Sequence, residues 1–278
     1  MTALSLKNRT GGKIAIFAGD GSLPRLLANR LESAGAAIRF AALEGRVPEW
    51  LAGRETTLVT LQNYISKYVE LYEDGCRTAV FAGGIGRPQM LSGDAEVPVD
   101  LESGDDAMVR KFIEMLEAIG FAVVGAHEFL PDLLAGAGIL TDMAPEAKEL
   151  RDAAHAARIV HALGFFDVGQ AAVVAQGICL GVETVQGTDH LVLASGEARR
   201  LLPNPARRSG VLYKAPKPEQ DLRLDFPAIG PETASNVAKA GLAGIAIEAN
   251  GVMILDRAET VRLANEARLF IWSRNADA

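Results

Sequence analysis

The densest set of chemistry-bearing side chains lies in YKAPKPEQDLRLDFP, where Lys214, Lys217, Gln220, Asp221, Arg223 and Asp225 fall within a dozen residues. Lysines beside carboxylates suit a phosphoanhydride, because the cations neutralise charge developing on phosphate oxygens while an aspartate holds a metal or orients water. Pro216 and Pro218 argue against helix, so the backbone is expected to be extended or turning. If extended, Arg223 and Asp225 face one side and Leu222, Leu224 and Phe226 the other. A charged, solvated edge is the plain alternative. Asp225 is the leading catalytic candidate. Upstream, VETVQGTDH is expected to place Thr188, Asp189 and His190 in a polar loop after a strand.

Two glycine-rich turns follow apolar runs. In AGDGSLP, Gly19 and Gly21 let backbone amides approach a phosphate, and the helix that starts near Leu23 favours negative charge there. As a dinucleotide fingerprint it is incomplete, since Pro24 stands where a third glycine would, although Glu44 could serve as a ribose-binding acid. In AGGIGRP, Gly83, Gly84 and Gly86 follow a second apolar run, and Arg87 could meet a phosphate. If both strands are parallel in one sheet, both turns open on its carboxyl edge, where such folds bind ligands. A tight turn with no ligand is the alternative for the first, and a solvated Arg87 for the second. Helix capping accounts for Asp105 and Asp106, with metal binding as the alternative.

These residues need a scaffold, and its elements alternate. KIAIFAG, AIRFAAL, TTLVTL, TAVFAGG and FAVVGA read as short buried strands. Helical spacing runs through Leu23–Leu31, with Ser22 as a cap, through Tyr64–Asp74, and through Met108–Ile119. This is an α/β, Rossmann-like, doubly wound pattern over residues 1–130. The rhythm breaks at 131–145, expected to be a linker because Pro131, Gly136, Gly138 and Pro145 punctuate it. Residues 146–278 read as an α+β domain: a helix from Glu146, paired strands turning near Gly177, a strand at VLYKAP and a helix from Pro231 to Gly241. GIAIEA and GVMILD are expected to form a hairpin, and Asp256 with Glu259 a capping box for the last helix.

Composition narrows the class. The chain has 278 residues, 49% hydrophobic and 23% charged, enough for two ordinary globular domains. A net charge of -7 and 6% aromatic content give no nucleic-acid or anionic-membrane signature. Cys76 and Cys179 form no CxxC unit and are expected to be buried thiols in a reducing cytosol. The start MTALSLKNRTGGK lacks the apolar core of a signal peptide, and no apolar run is long enough to span a membrane, so a cytoplasmic location is expected. The four histidines lack HExxH spacing, and neither a P-loop nor a GxSxG elbow is present.

Taken in order, GDGSLP, FAGGIGRP, GVETVQGTDH, KAPKPEQDLRLDFPAIGPET and AGLAGIAIEA resemble the LpxI-type UDP-2,3-diacylglucosamine pyrophosphatases of lipid A biosynthesis, over Ile14 to Trp272. The resemblance implies Mg²⁺-dependent hydrolysis of UDP-2,3-diacylglucosamine to UMP and 2,3-diacylglucosamine 1-phosphate, with water attacking the phosphorus on the sugar side. It also implies two tethered domains with the lipid-linked substrate in the cleft between them, and transient contact with the inner-membrane surface. On matching positions it makes Asp225 essential, with Asp189 and Thr188 near the diphosphate and both aspartates as metal candidates. Lys214, Lys217 and Gln220 would ligate phosphate oxygens or position water. Gly19, Asp20, Gly21, Ser22 and Leu23, with Gly83, Gly84 and Gly86, would serve the nucleotide end. Two other classes stay open: an NAD(P)-dependent oxidoreductase using the first turn, and a non-catalytic binder of nucleotide sugars or lipid phosphates.

Overall fold

The computed structural model describes residues 11–60, 62–84 and 105–276, with the side chains of the 105–109 stretch excepted. Its contacts divide the chain into two compact units. The first reaches to Pro131 and also takes in Asp221–Asp225; the second comprises Asp132–Gln220 and the chain from Phe226 onward.

In the first unit β1 (Lys13–Ala18), β2 (Ile38–Leu43), β3 (Thr56–Val59), β4 (Cys76–Ala82) and β5 (Ala122–Val123) form a sheet in the order β3-β2-β1-β4-β5. Every pairing in it is parallel. Connections by α1 (Leu23–Ser33), α2 (Tyr64–Glu73) and α3 (Asp105–Ile119) make that possible, since parallel neighbours need a crossover. Alternation along the strands assigns the faces. Ala15, Phe17, Ala79 and Phe81 join Tyr68, Leu71, Ile113 and Leu116 from α2 and α3 in one core. Ile14 and Ile16, of opposite parity, are fully buried, as are Leu27 and Leu31 of α1. A short helix α4 (Ala126–Phe129) follows β5.

The second unit holds β6 (Gly138–Ile139), α5 (Ala147–Gly164), β7 (Ala171–Ala175), β8 (Ile178–Val182), α6 (Gly187–Ala198), β9 (Val211–Lys214), β10 (Ala228–Ile229), α7 (Pro231–Lys239), β11 (Gly244–Glu248), β12 (Met253–Ile254), α8 (Arg257–Glu266) and β13 (Phe270–Arg274). Six of these strands make a mixed sheet in the order β6-β13-β11-β9-β7-β8. β13, β11 and β9 run parallel, whereas β7, β8 and β6 join antiparallel. One face packs Ala172, Val174, Val211, Tyr213 and Ala246 against Ala153, Ala156 and Val160 of α5. The other packs Val173, Leu212, Ile245, Ile247 and Ile271 against Leu191 and Val192 of α6 and Val237 of α7.

Most expected elements are present, and the departures have local causes. GIAIEA and GVMILD do not form a hairpin: β11 already has β9 and β13 on its two edges, so β12 pairs with β10 in a separate parallel ribbon. Asp256 stands before α8 but in a left-handed conformation (φ 43°) with no side-chain cap bond, and Glu259 pairs with Arg262 instead, so the capping box is absent. Ser22 likewise precedes α1 without a side-chain cap bond. Cys76 is buried as expected, but Cys179 is exposed, because β8 is the edge strand of its sheet.

The β7–β8 turn at Gln176 and Gly177 has positive φ at both residues (51° and 79°), the requirement of a type I′ hairpin. The buried Asp152 of α5 holds it, its two carboxylate oxygens accepting the amides of Gln176 (3.0 Å) and Gly177 (2.8 Å). Asp152→Ala leaves both amides without that acceptor and is expected to lower stability by about 3 kcal/mol, read from the urea midpoint. A loss under ~1 kcal/mol would show that the turn does not depend on it.

Candidate active site

β9 ends on Lys214, whose parity matches Leu212, so its side chain enters the face that α6 covers. The Lys214 side chain is 9% exposed. Its ammonium donates to Thr188 Oγ1 at 2.6 Å and lies 3.7 Å from Glu183 Oε1. Thr188 donates in turn to Glu183 Oε1 at 2.5 Å, and Glu183 Oε2 accepts the Gln170 amide at 3.0 Å. Thr188 and Asp189 occupy the first turn of α6, not a loop. The turn that launches the helix is Thr184–Gly187, with Gly187 at φ 83°. Asp189 Oδ1 accepts from the buried Asn236 of α7 at 3.0 Å. His190 is exposed.

Lys217 is also buried, and its ammonium pairs with Asp167 in the turn after α5. Asp167 sits at φ 54°, a left-handed position that aspartate tolerates better than most residues. Gln220 Oε1 accepts the Lys217 amide at 3.0 Å, which closes the turn that carries this lysine. Thus Thr188, Lys214, Lys217, Gln220 and Asp189 all fall in the second unit. Beside α6, a hollow of about 170 Å³ is lined by Leu180, Val182, Gln186, His190 and Leu191. It lies below the ~300–1,000 Å³ of ordinary ligand pockets.

Asp225 belongs to the first unit. The expected alternation around it does not occur, because Leu222–Leu224 forms a turn. Leu224 packs on the core under α2 and α3, and Arg223 donates to Glu117 of α3 at 2.8 Å. Arg223 also forks onto Asp221 at 2.7 and 3.0 Å. Asp225 itself is exposed.

The two glycine-rich turns stand after β1 and β4, adjacent strands at which the strand order reverses. They close on each other. Asp20 N donates to Gly84 O at 2.9 Å, Gly84 N to Asp20 O at 3.1 Å, and Gly19 N to Ala82 O at 2.8 Å. A Cβ on Gly83 (φ 84°) would lie 2.2 Å from Asp20 O, and one on Gly19 2.6 Å from Gly84 O. The glycines therefore serve first to let the turns touch, and the amides of Gly19, Asp20 and Gly84 are engaged there. Gly21, Ser22 and Leu23 follow at the entry to α1. The Asp20 carboxylate pairs with Arg46 at 2.6 Å. Gly86, Arg87 and the side chains of Asp105 and Asp106 lie outside the described residues.

Sequence reading missed Glu183, Asp167 and Asn236. Glu183 stands in the quoted VETVQGTDH block, directly after β8, so its place at a strand end was the available signal. Asp167 and Asn236 carry none, being brought in by tertiary packing. Among the described residues no group of three or more His, Cys, Asp or Glu is placed to hold a metal ion.

The guanidinium of Arg223 bonded to Asp221 holds that carboxyl below the usual carboxylate range. A depressed folded pKa contributes stability that is present above the unfolded value near ~3.9 and lost as pH falls through the folded value. Asp221→Asn is therefore expected to be less stable than wild type at pH 7, with the gap closing below about pH 3.9, as followed by urea midpoints across pH. An equal gap at both ends of that range would show that the pair is not the source.

Comparison with known proteins agrees across the chain. A family model for the LpxI N-terminal domain matches residues 13–133, and one for the LpxI C-terminal domain matches residues 136–272. The chain is 34% identical over 269 residues to the UDP-2,3-diacylglucosamine pyrophosphatase LpxI of Caulobacter vibrioides, covering 93% of this chain and 96% of that protein. The chain belongs to the LpxI family.

Proposed function

We propose that this protein hydrolyses the diphosphate of UDP-2,3-diacylglucosamine to UMP and 2,3-diacylglucosamine 1-phosphate in lipid A synthesis. Family membership supports the class of reaction. The observation that carries it to particular residues is the buried ammonium of Lys214, which has three protons and makes one hydrogen bond among the described residues, to Thr188. A buried cation with donors to spare is poised for an anionic oxygen, and the second lysine of the block is buried beside it in sequence.

In this reading Lys214 and Lys217 neutralise charge on the diphosphate oxygens, Thr188 fixes the Lys214 head group, and Gln220 shapes the turn that presents Lys217. Asp225 is the essential carboxylate. Gly19–Leu23, Gly83, Gly84 and Gly86 serve the nucleotide end. The β3-β2-β1-β4-β5 order, with both turns at its reversal, supports a Rossmann-like use of the first unit's carboxyl edge. Water attacks the phosphorus on the sugar side.

Asp225 and Asp189 are each a candidate carboxylate ligand for Mg²⁺. The described residues make no all-protein cage. Mg²⁺ usually keeps several waters and takes one or two carboxylates plus substrate phosphates. The bound ion would supply charge neutralisation at the phosphoryl oxygens. Among the described residues no helix is long and apolar enough to cross a membrane. The lipid-linked nature of the proposed substrate supports transient contact with the inner-membrane surface.

Purified protein incubated with UDP-2,3-diacylglucosamine and Mg²⁺ is expected to release UMP, chelation to stop it, and Asp225→Ala to lower the rate by ~100-fold or more. No UMP from the wild type, or unchanged turnover in Asp225→Ala, overturns the proposal.

A further inference from the structure

Two short contacts in the second unit fix a direction. An ammonium has only protons to give, so in the Lys214–Thr188 contact at 2.6 Å the hydroxyl oxygen accepts. An ionised carboxylate has none to give, so in the Thr188–Glu183 contact at 2.5 Å the hydroxyl donates. The single Thr188 proton is thereby committed to Glu183, and its lone pair to Lys214. Glu183 is anchored at its far side by the Gln170 amide at 3.0 Å, and its own amide donates to Ala171 O at 2.8 Å. Its side chain is 12% exposed. The backbones meet closely enough that a Cβ on Gly169 would lie 2.3 Å from Glu183 O.

From this we infer that Glu183 is a positioning residue for phosphate recognition: it orients the Thr188 hydroxyl, which holds the Lys214 ammonium so that its remaining protons face the substrate. The inference rests on the proposed diphosphate hydrolysis. Glu183 acts through Thr188 and touches no reacting atom. An ion pair by itself would not require the threonine, and the 3.7 Å separation of Lys214 from Glu183 exceeds a hydrogen bond. The relay, not the direct pair, carries the geometry. It also explains a carboxylate at this position where a solvated edge would accept any polar side chain.

The test is a double-mutant cycle on kcat/KM for UMP release, using Thr188→Val, Glu183→Ala and the double variant, with Glu183→Gln alongside and urea midpoints recorded for all. Thr188→Val and Glu183→Ala are each expected to lower kcat/KM by ~30-fold, and the double variant to fall no more than about threefold below Thr188→Val. Glu183→Gln, which keeps an oxygen for the Thr188 proton, is expected to recover much of the loss. Losses that multiply in the double variant show that Glu183 acts independently of Thr188 and overturn the inference. So does a wild-type rate in Glu183→Gln and Glu183→Ala while Thr188→Val is impaired, and so does Glu183→Gln falling as far as Glu183→Ala. An unimpaired Thr188→Val removes the proposed site itself, which separates failure of that reading from failure of the relay. Should Glu183→Ala not fold, Glu183→Met, which keeps the length of the side chain but offers the Thr188 proton no oxygen, takes its place in the cycle.

Discussion

A lysine ammonium pointing into the interior of a sheet–helix sandwich is the constraint around which the second unit is arranged. Withdrawing such a charge from water is costly unless its surroundings answer it with acceptors. Lys214 lies on a strand flanked on both sides, so the chain cannot move it outward without breaking the pairings of β9 with β7 and β11. Its answer comes from two other elements. Glu183 directly follows β8, and α6 carries Thr188 in its first turn. The type I′ turn held by Asp152 starts the β7–β8 pairing, and after a register shift at Val173/Val174 that pairing carries the chain to Glu183. Secondary structure, turn chemistry and site geometry are thus one argument in this region.

The first unit shows the same economy. Its two glycine-rich turns bond to each other across neighbouring parallel strands, and the absence of side chains at Gly19 and Gly83 is what permits it. A phosphate-binding reading of these turns therefore has to use the amides that follow, from Gly21 to Leu23, since those of Gly19, Asp20 and Gly84 already have carbonyl partners. The Asp20–Arg46 pair further ties the turn to the loop after β2.

Much of the fold was legible because buried strands advertise themselves as short apolar runs, as β1, β4, β7 and β9 do. What was not legible depended on partners distant in sequence. GIAIEA and GVMILD look like a hairpin locally, but β9 and β13 occupy both edges of β11. GTDH looks like a loop because glycine, threonine and aspartate favour turns, yet Leu191 and Val192 are drawn into the core and bring the preceding residues into helix. The charged block KAPKPEQDLRLD reads as one cluster, whereas its lysines join the second unit and Leu224 anchors Asp221–Asp225 in the first. Thr188 and Lys214 stood out by residue type, whereas the contact of Glu183 with Thr188 emerges only once the strands are paired.

The central claim is that the Lys214 ammonium is buried for the sake of an anionic ligand. The most direct measurement is kcat/KM of Lys214→Met for UMP release from UDP-2,3-diacylglucosamine, with circular dichroism to verify the fold. Methionine keeps the apolar stem and removes only the charged head. The account predicts a folded variant with kcat/KM lowered by ~100-fold or more. A folded variant within about threefold of wild type, less than the ~100-fold expected from losing one charge-stabilising donor, would contradict it.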